Sequence, residues 1–215
     1  MHTLNRRAIA FAVCLSALAG CVDVIGFLHL GGYFVAFMSG NSTQLAAGLA
    51  RGDTLHVVQL ASLILLFVVG TMMGALTGHG ASSRRGLRVL RLVTWCLFLA
   101  AAAQFFGWNF IAIVLLVLAM GAENSVFQRD GDVVIGLTYM TGTLVKMGQK
   151  MAAALLGGPA LAWLPYGLLW AGLLAGGVAG AVLYQHFALN SLWAAAAAAA
   201  LASLYATLDR RVLPD

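Results

Sequence analysis

The sequence predicts an all-α membrane protein: six transmembrane helices plus two re-entrant or broken segments, built as two inverted repeats. Three observations lead there. Of the 215 residues, 62% are hydrophobic and only 9% charged, with a mean hydropathy of +0.94, whereas a soluble domain is about 25% charged. Apolar stretches of membrane-spanning length run nearly end to end, leaving no stretch able to fold in water. The third is a motif pattern that recurs at a fixed separation. A single polytopic domain over residues 1–215 follows, with repeat 1 at 8–106 and repeat 2 at 109–208.

Apolar length and Gly, Pro and charge breaks divide the chain into segments 8–29, 32–50, 55–78, 87–106, 109–128, 133–156, 164–186 and 191–208. The first imitates a lipoprotein signal, since Arg6 and Arg7 precede an apolar run ending Leu18-Ala19-Gly20-Cys21. The run continues through Val22, Val24, Ile25, Phe27 and Leu28, long enough to cross about 30 Å of hydrocarbon, so it reads as a first transmembrane helix. The second and sixth segments are different. Met38-Ser39-Gly40-Asn41-Ser42-Thr43-Gln44 interrupts one, and Thr138-Tyr139-Met140-Thr141-Gly142-Thr143 followed by Lys146 interrupts the other.

The net charge of +5 is a matter of orientation rather than nucleic-acid binding, because the basic residues sit between apolar segments without aromatic interleaving. With eight crossings, Arg84, Arg85, Arg88 and Arg91 fall outside together with Arg129. If the two interrupted segments enter and leave on one side, all of these join Arg6, Arg7, Lys146, Lys150, Arg210 and Arg211 on the cytoplasmic face, and only Arg51 is left outside. This places the chain in a bacterial cytoplasmic membrane with both termini cytoplasmic. The Arg84–Arg91 patch suits anionic headgroups, although topology alone explains it.

Met38-Ser39-Gly40 matches Met140-Thr141-Gly142, 102 residues further on, and the same separation carries Gly70, Gly74 and Gly78 onto Gly172, Gly176 and Gly180. With one residue of slippage, Gly20 and Asp23 fall on Gly121 and Asn124. Each unit has three crossings and one partial one, so the second begins on the opposite side. In such folds, ion and substrate sites lie near the midplane, lined by discontinuous helices.

Candidate site residues follow from cost. An acid at a helix centre costs about 3 kcal/mol on insertion scales and calls for compensation. Asp23 is such an acid, read as an ion, proton or substrate site, or else as a cap on the next segment. Glu123, beside Asn124 and ahead of Arg129, is its near counterpart, with a Glu123–Arg129 ion pair as the alternative. Ser39, Gly40, Asn41 and Thr43, and Thr141, Gly142 and Thr143, offer hydroxyl, amide and small-residue positions suited to a pore or substrate cradle, or to helix packing. Gln44 and Lys146 reach the cavity or, for Lys146, snorkel to the surface. The two glycine runs, Gly70 to Gly78 and Gly172 to Gly180, are expected to bring the third and seventh segments together or to join a second subunit as a homo-oligomer. Cys14, Cys21 and Cys96 indicate neither disulfide nor zinc site. His29, His56, His79 and His186 fall singly near segment ends and receive no catalytic or metal role. No catalytic motif, metal site or cofactor is read, and an enzyme is not expected.

The run Gly20-Cys21-Val22-Asp23-Val24-Ile25-Gly26-Phe27, followed by Gly32-Tyr33-Phe34 and Met38-Ser39-Gly40-Asn41, resembles the YoaK-like family of bacterial integral membrane proteins, marked by a G-x-x-D run leading into M-T-G-N. A second mark of that family, Q-N-x-x-x-x-R leading into T-T-Y-x-T-G-T, is similar to Glu123-Asn124 through Arg129 and to Leu137 through Thr143. The resemblance covers most of the chain. Ser39 stands where threonine is usual and Glu123 where glutamine is usual. The resemblance implies a membrane protein and these motif residues, and no substrate. The functional expectation is a transporter or channel for a small solute or ion, with a proton or cation coupling through Asp23 or Glu123 if it is a carrier. The alternatives are a non-transporting scaffold or lipid-binding protein and, behind it, an intramembrane lipid-modifying enzyme.

Overall fold

In the computed structural model, residues 5–79, 84–129, 132–133 and 135–213 are described. Helix α1 (Arg6–His29) starts where the Asn5 side chain accepts the Ala8 amide at 2.7 Å and satisfies one of the first-turn donors. It stops at Leu30 before Gly31 and Gly32, whose φ values of 68° and 115° suit only glycine well and turn the chain inward. Helix α2 (Met38–Arg51) leads through Gly52 to α3 (Thr54–Gly78), which is capped by the Asp53 carboxylate. Then come α4 (Arg85–Phe105), α5 (Asn109–Glu123), α6 (Met140–Leu155), α7 (Leu164–Phe187) and α8 (Leu192–Leu208), with 3₁₀ turns at Ala188–Ser191 and Arg210–Val212.

Four stretches are long and apolar enough to cross a membrane: Arg6–His29, Thr54–Gly78, Arg85–Phe105 and Leu164–Leu208, the last divided into α7 and α8 by the 3₁₀ turn. The outward strip of α3, including Leu65, Val69, Met72 and Leu76, is exposed, as are Phe110, Leu201 and Leu208. Apolar surface on that scale suits lipid rather than water.

Two expectations need correction. The fifth segment is helical only to Glu123; residues 124–127 turn while staying buried, because Asn124 is drawn to Thr138. A helix of 15 residues is about 22 Å long. The interrupted segments are helical only from Met38 and from Met140. The all-α class stands: beyond the helices, the described residues add a two-residue antiparallel pairing of Gln128–Arg129 (β1) with Asp132–Val133 (β2) in the connection ahead of α6.

Packing runs between the two halves of the chain. Helix α1 lies along α7, α3 along α5, and α4 against both α5 and α8. The glycine runs explain the first two pairs, and here too the expectation is corrected. They do not join α3 to α7; each run faces a helix of the other half. A side chain at Gly70 or Gly74 would meet the α5 backbone at Leu118 or Ala122, and one at Gly172, Gly176 or Gly180 would meet the α1 backbone at Val13, Ala17 or Cys21. Gly78 makes room for the Arg85 side chain instead. The facing helices offer small residues of their own: Gly121 packs on α3 and Gly20 on α7. With small residues on both sides, backbones approach within van der Waals contact, which is the main source of helix association in lipid. The core fills with Phe11, Leu15 and Val22 of α1, Leu90 and Leu97 of α4, and Leu116 and Met120 of α5. At one end of the bundle, Arg7 pairs with Asp209 at 2.9 Å and Asn5 Nδ2 donates to the Arg211 carbonyl at 2.8 Å, which ties the two ends of the chain together.

Candidate functional site

Two stretches of non-helical backbone, 30–37 and 135–139, run through the interior, where Val35, Ile135 and Leu137 are buried. Backbone polar groups there need partners, since an unpaired one costs as much as a lost hydrogen bond or more. The polar residues singled out in the sequence supply them. Asp23 Oδ1 accepts the Val35 and Ala36 amides at 2.8 and 2.7 Å. The fully buried Asn41 accepts the Phe34 amide at 3.0 Å and donates to the Phe34 carbonyl at 2.7 Å. Gln44 donates to the Gly32 carbonyl at 3.0 Å. In the second stretch, Asn124 Oδ1 accepts from Thr138 Oγ1 at 3.0 Å and from its amide at 3.4 Å. Ser16, buried in α1, donates to the carbonyls of Leu137 and Leu169 and links this stretch to α7. Ser16 was missed by sequence reasoning; its signal was a lone hydroxyl within an apolar run.

Both stretches end in the same turn. The Met38 amide donates to the Ala36 carbonyl and the Met140 amide to the Thr138 carbonyl, at 3.1 and 3.0 Å. Between them, Phe37 has φ −89° and ψ 75°, and Tyr139 has φ −86° and ψ 58°. These are inverse γ-turns, which close three residues and start a helix in a new direction. One turn of helix later, Asn41 and Thr143 donate their amides to the Phe37 and Tyr139 carbonyls.

The two turns open onto one cavity of about 240 Å³, walled by Ala36 to Ser39 on one side and Thr138 to Gly142 on the other, with Phe67 of α3 between. Ser39, Thr141 and Gly142 thus come together. The other expected cavity residues do not line it. Asn41 is occupied with Phe34, Thr43 donates to the Ser39 carbonyl, Thr143 donates to the Tyr139 carbonyl, and Gly40 leaves space for the rings of Phe34 and Phe37. Asp23 and Asn124 stand behind the walls as backbone acceptors rather than facing the cavity. Lys146 is exposed on α6.

Glu123 is the exception to this accounting. It is fully buried, and neither carboxyl oxygen meets a hydrogen-bond partner among the described residues. The Arg129 side chain, its suggested ion-pair partner, lies outside the described residues. Four residues upstream of Glu123, Ala119 is buried as well, and Asn124 Nδ2 donates to the Met120 carbonyl, so this end of α5 faces the core throughout.

Comparison with known proteins bears out the family resemblance. The chain is 32% identical over 193 residues to the UPF0700 transmembrane protein RA0705 of Rhizobium meliloti (strain 1021), covering 90% of this chain and 83% of that one. It is 32% identical over 159 residues to the UPF0700 transmembrane protein YoaK of Bacillus subtilis (strain 168), covering 70% of this chain and 69% of that one. No solved structure gives a significant match. The profile of a family described as a protein of unknown function, DUF1275, matches residues 11–205, so this chain belongs to that family of transmembrane proteins.

Proposed function

We propose that the chain is a transporter or channel for a small solute, with its site in the cavity between the starts of α2 and α6. The observation that carries this reading is the convergence of two interrupted helices, each begun by the same turn, on one cavity of about 240 Å³ that holds the Ser39 and Thr141 side chains. A volume of that size suits a molecule of a few heavy atoms rather than a lipid, and small-solute sites are built this way between discontinuous helices. The positive ends of the α2 and α6 dipoles both lie at the cavity and favour electron-rich groups there over free cations.

In this reading α1, α3, α4, α5, α7 and α8 cross the membrane, and α2 and α6 with the stretches ahead of them enter and leave on one side. The halves 8–106 and 109–208 are then inverted copies. The basic residues place the joined termini in the cytoplasm of a bacterium, with the chain in the cytoplasmic membrane. Asp23 holds the first wall in shape. Glu123, buried and without a partner among the described residues, is the group left to carry a coupling proton or cation if the protein is a carrier. No catalytic residue is assigned, and no cofactor enters the mechanism.

The test is flux into proteoliposomes, screened across sugars, polyols, amino acids and inorganic anions with and without a proton gradient. Uptake abolished by Gly142→Trp, which fills the cavity, supports the site. Dependence on the gradient that disappears in Glu123→Gln identifies the coupling group, and flux unchanged in both Asp23→Asn and Glu123→Gln removes the acids from the mechanism. Labelling of a cysteine placed at position 88 from outside intact cells would contradict the orientation.

A further inference from the structure

A second cavity, of about 460 Å³, opens at the end of the bundle opposite the joined termini, where α1 finishes and α3 and α5 begin. Its wall is graded. At the mouth stand His29, Tyr33, Gln59 and Asn109; one to two turns deeper along the same helices the lining becomes Leu63, Leu66, Ile113 and Val114. From Gln59 to Leu66 is about 10 Å of helix, so polarity changes to hydrocarbon over roughly the length of a ring and a few methylenes. Two further wall residues, Val58 and Phe110, are 56% and 81% exposed on the lipid-facing sides of α3 and α5, so the cavity communicates sideways with the bilayer.

The mouth is held rigid and left partly unsatisfied. Tyr33 is hydrogen-bonded through its hydroxyl to His56 Nδ1 at 2.5 Å, and His29 Nδ1 lies 3.4 Å from the Tyr184 hydroxyl. These contacts orient both lining rings, and His29 Nε2 has no hydrogen-bond partner among the described residues. The side-chain amides of Gln59 and Asn109 have no hydrogen-bond partner among the described residues. Among the described residues, no Asp, Glu, Lys or Arg lines the cavity. It therefore presents several neutral donors and acceptors at one end, aromatic walls beside them and an apolar floor.

We infer that this cavity binds an uncharged amphiphile that enters from the bilayer, with a ring-sized head carrying carbonyl or hydroxyl oxygens and an apolar tail. The head meets Gln59, Asn109 and His29, and the tail follows Leu63 and Leu66 downward. A charged head would find no counter-ion here, and a fully apolar guest would leave the amides dry and unpaired, which disfavours both. The site is separate from the cavity between α2 and α6, and its occupancy does not depend on whether a solute moves through that cavity.

Decylubiquinone serves as the probe. It is titrated against the purified full-length protein in an uncharged detergent, with tryptophan emission as the readout, since Trp108 immediately precedes Asn109. The expected result is saturable quenching at one equivalent, with Gln59→Leu and Asn109→Leu each raising the apparent Kd about fivefold, or about 1 kcal/mol, and Leu66→Trp abolishing saturation. Gln59 and Asn109 are exposed, so their leucine variants leave the fold intact and decide the matter even if Leu66→Trp does not assemble. Quenching that grows linearly with probe, or saturates identically in the two leucine variants, overturns the inference. So does displacement of the probe by dodecyl sulfate or dodecylamine as effectively as by an uncharged dodecylphenol.

Discussion

The stretch ahead of α2 and the stretch ahead of α6 make the same turn with unequal support. In the first, a carboxylate takes two amides, and Asn41 and Gln44 add contacts at Phe34 and Gly32. In the second, the neutral Asn124 stands in the place of Asp23 and, among the described residues of the stretch, meets Thr138 alone, while a further link comes from Ser16 of the other half. Their glycines differ in the same sense: Gly40 is closed in by the rings of Phe34 and Phe37, while Gly142 has open space around it. Charge-assisted bonds are about twice as strong as neutral ones. The wall before α2 is thus the fixed side of the cavity and the wall before α6 the compliant side, the one more readily moved by an occupant.

That contrast can be attacked from several directions. The largest effect lies beneath it, where the two halves interlock. Gly176→Val drives a branched side chain into the Ala17 backbone and separates α1 from α7, so little folded protein is expected by size exclusion in detergent. Gly74→Val, against Ala122 in the other pair, should do the same, and a mild effect at both positions would remove the interlocking that the comparison assumes.

Next comes the support of the two stretches. Asp23→Ala strands two buried amides and should cost about 2–4 kcal/mol, whereas Asn124→Ala should cost about 1–2 kcal/mol, measured as loss of thermal stability in one detergent. Equal losses would erase the distinction between fixed and compliant walls.

A sharper version uses a single methyl group. Gly40→Ala forces the rings of Phe34 and Phe37 aside and should lower stability by about 1–3 kcal/mol. Gly142→Ala should leave stability within about 0.5 kcal/mol while reducing the volume available to a solute. The smallest effect belongs to the tie between the chain ends. Arg7 is 61% exposed on its side chain, and Arg7→Ala should change stability by no more than about 1 kcal/mol, less at high salt.

Much of this was legible before any coordinates. Asp23, Asn41, Asn124 and the threonines of both motifs stood out because polar groups are costly in an apolar run, and that cost is local. The function of each was not legible. Asp23 reads equally well as an ion site or a cap until the chain is seen returning Val35 and Ala36 to its carboxylate, 12 and 13 residues on. Thr141 reaches the cavity and Thr143 does not, although they are two residues apart on α6, because successive positions on a helix point in different directions. The Tyr33–His56 and His29–Tyr184 pairs join residues that no pattern connects.

The sequence by itself determined the solvent of this protein, its apolar segments and the two places where they are interrupted, because hydrophobic length and the cost of polar groups are summed along the chain. Only the tertiary structure decided that each glycine run embraces a helix of the opposite half. It likewise decided which hydroxyls share a cavity and which carboxyl has no partner among the described residues. These depend on the distance between backbones and on the direction of side chains across an interface, and no local tally of residues contains either.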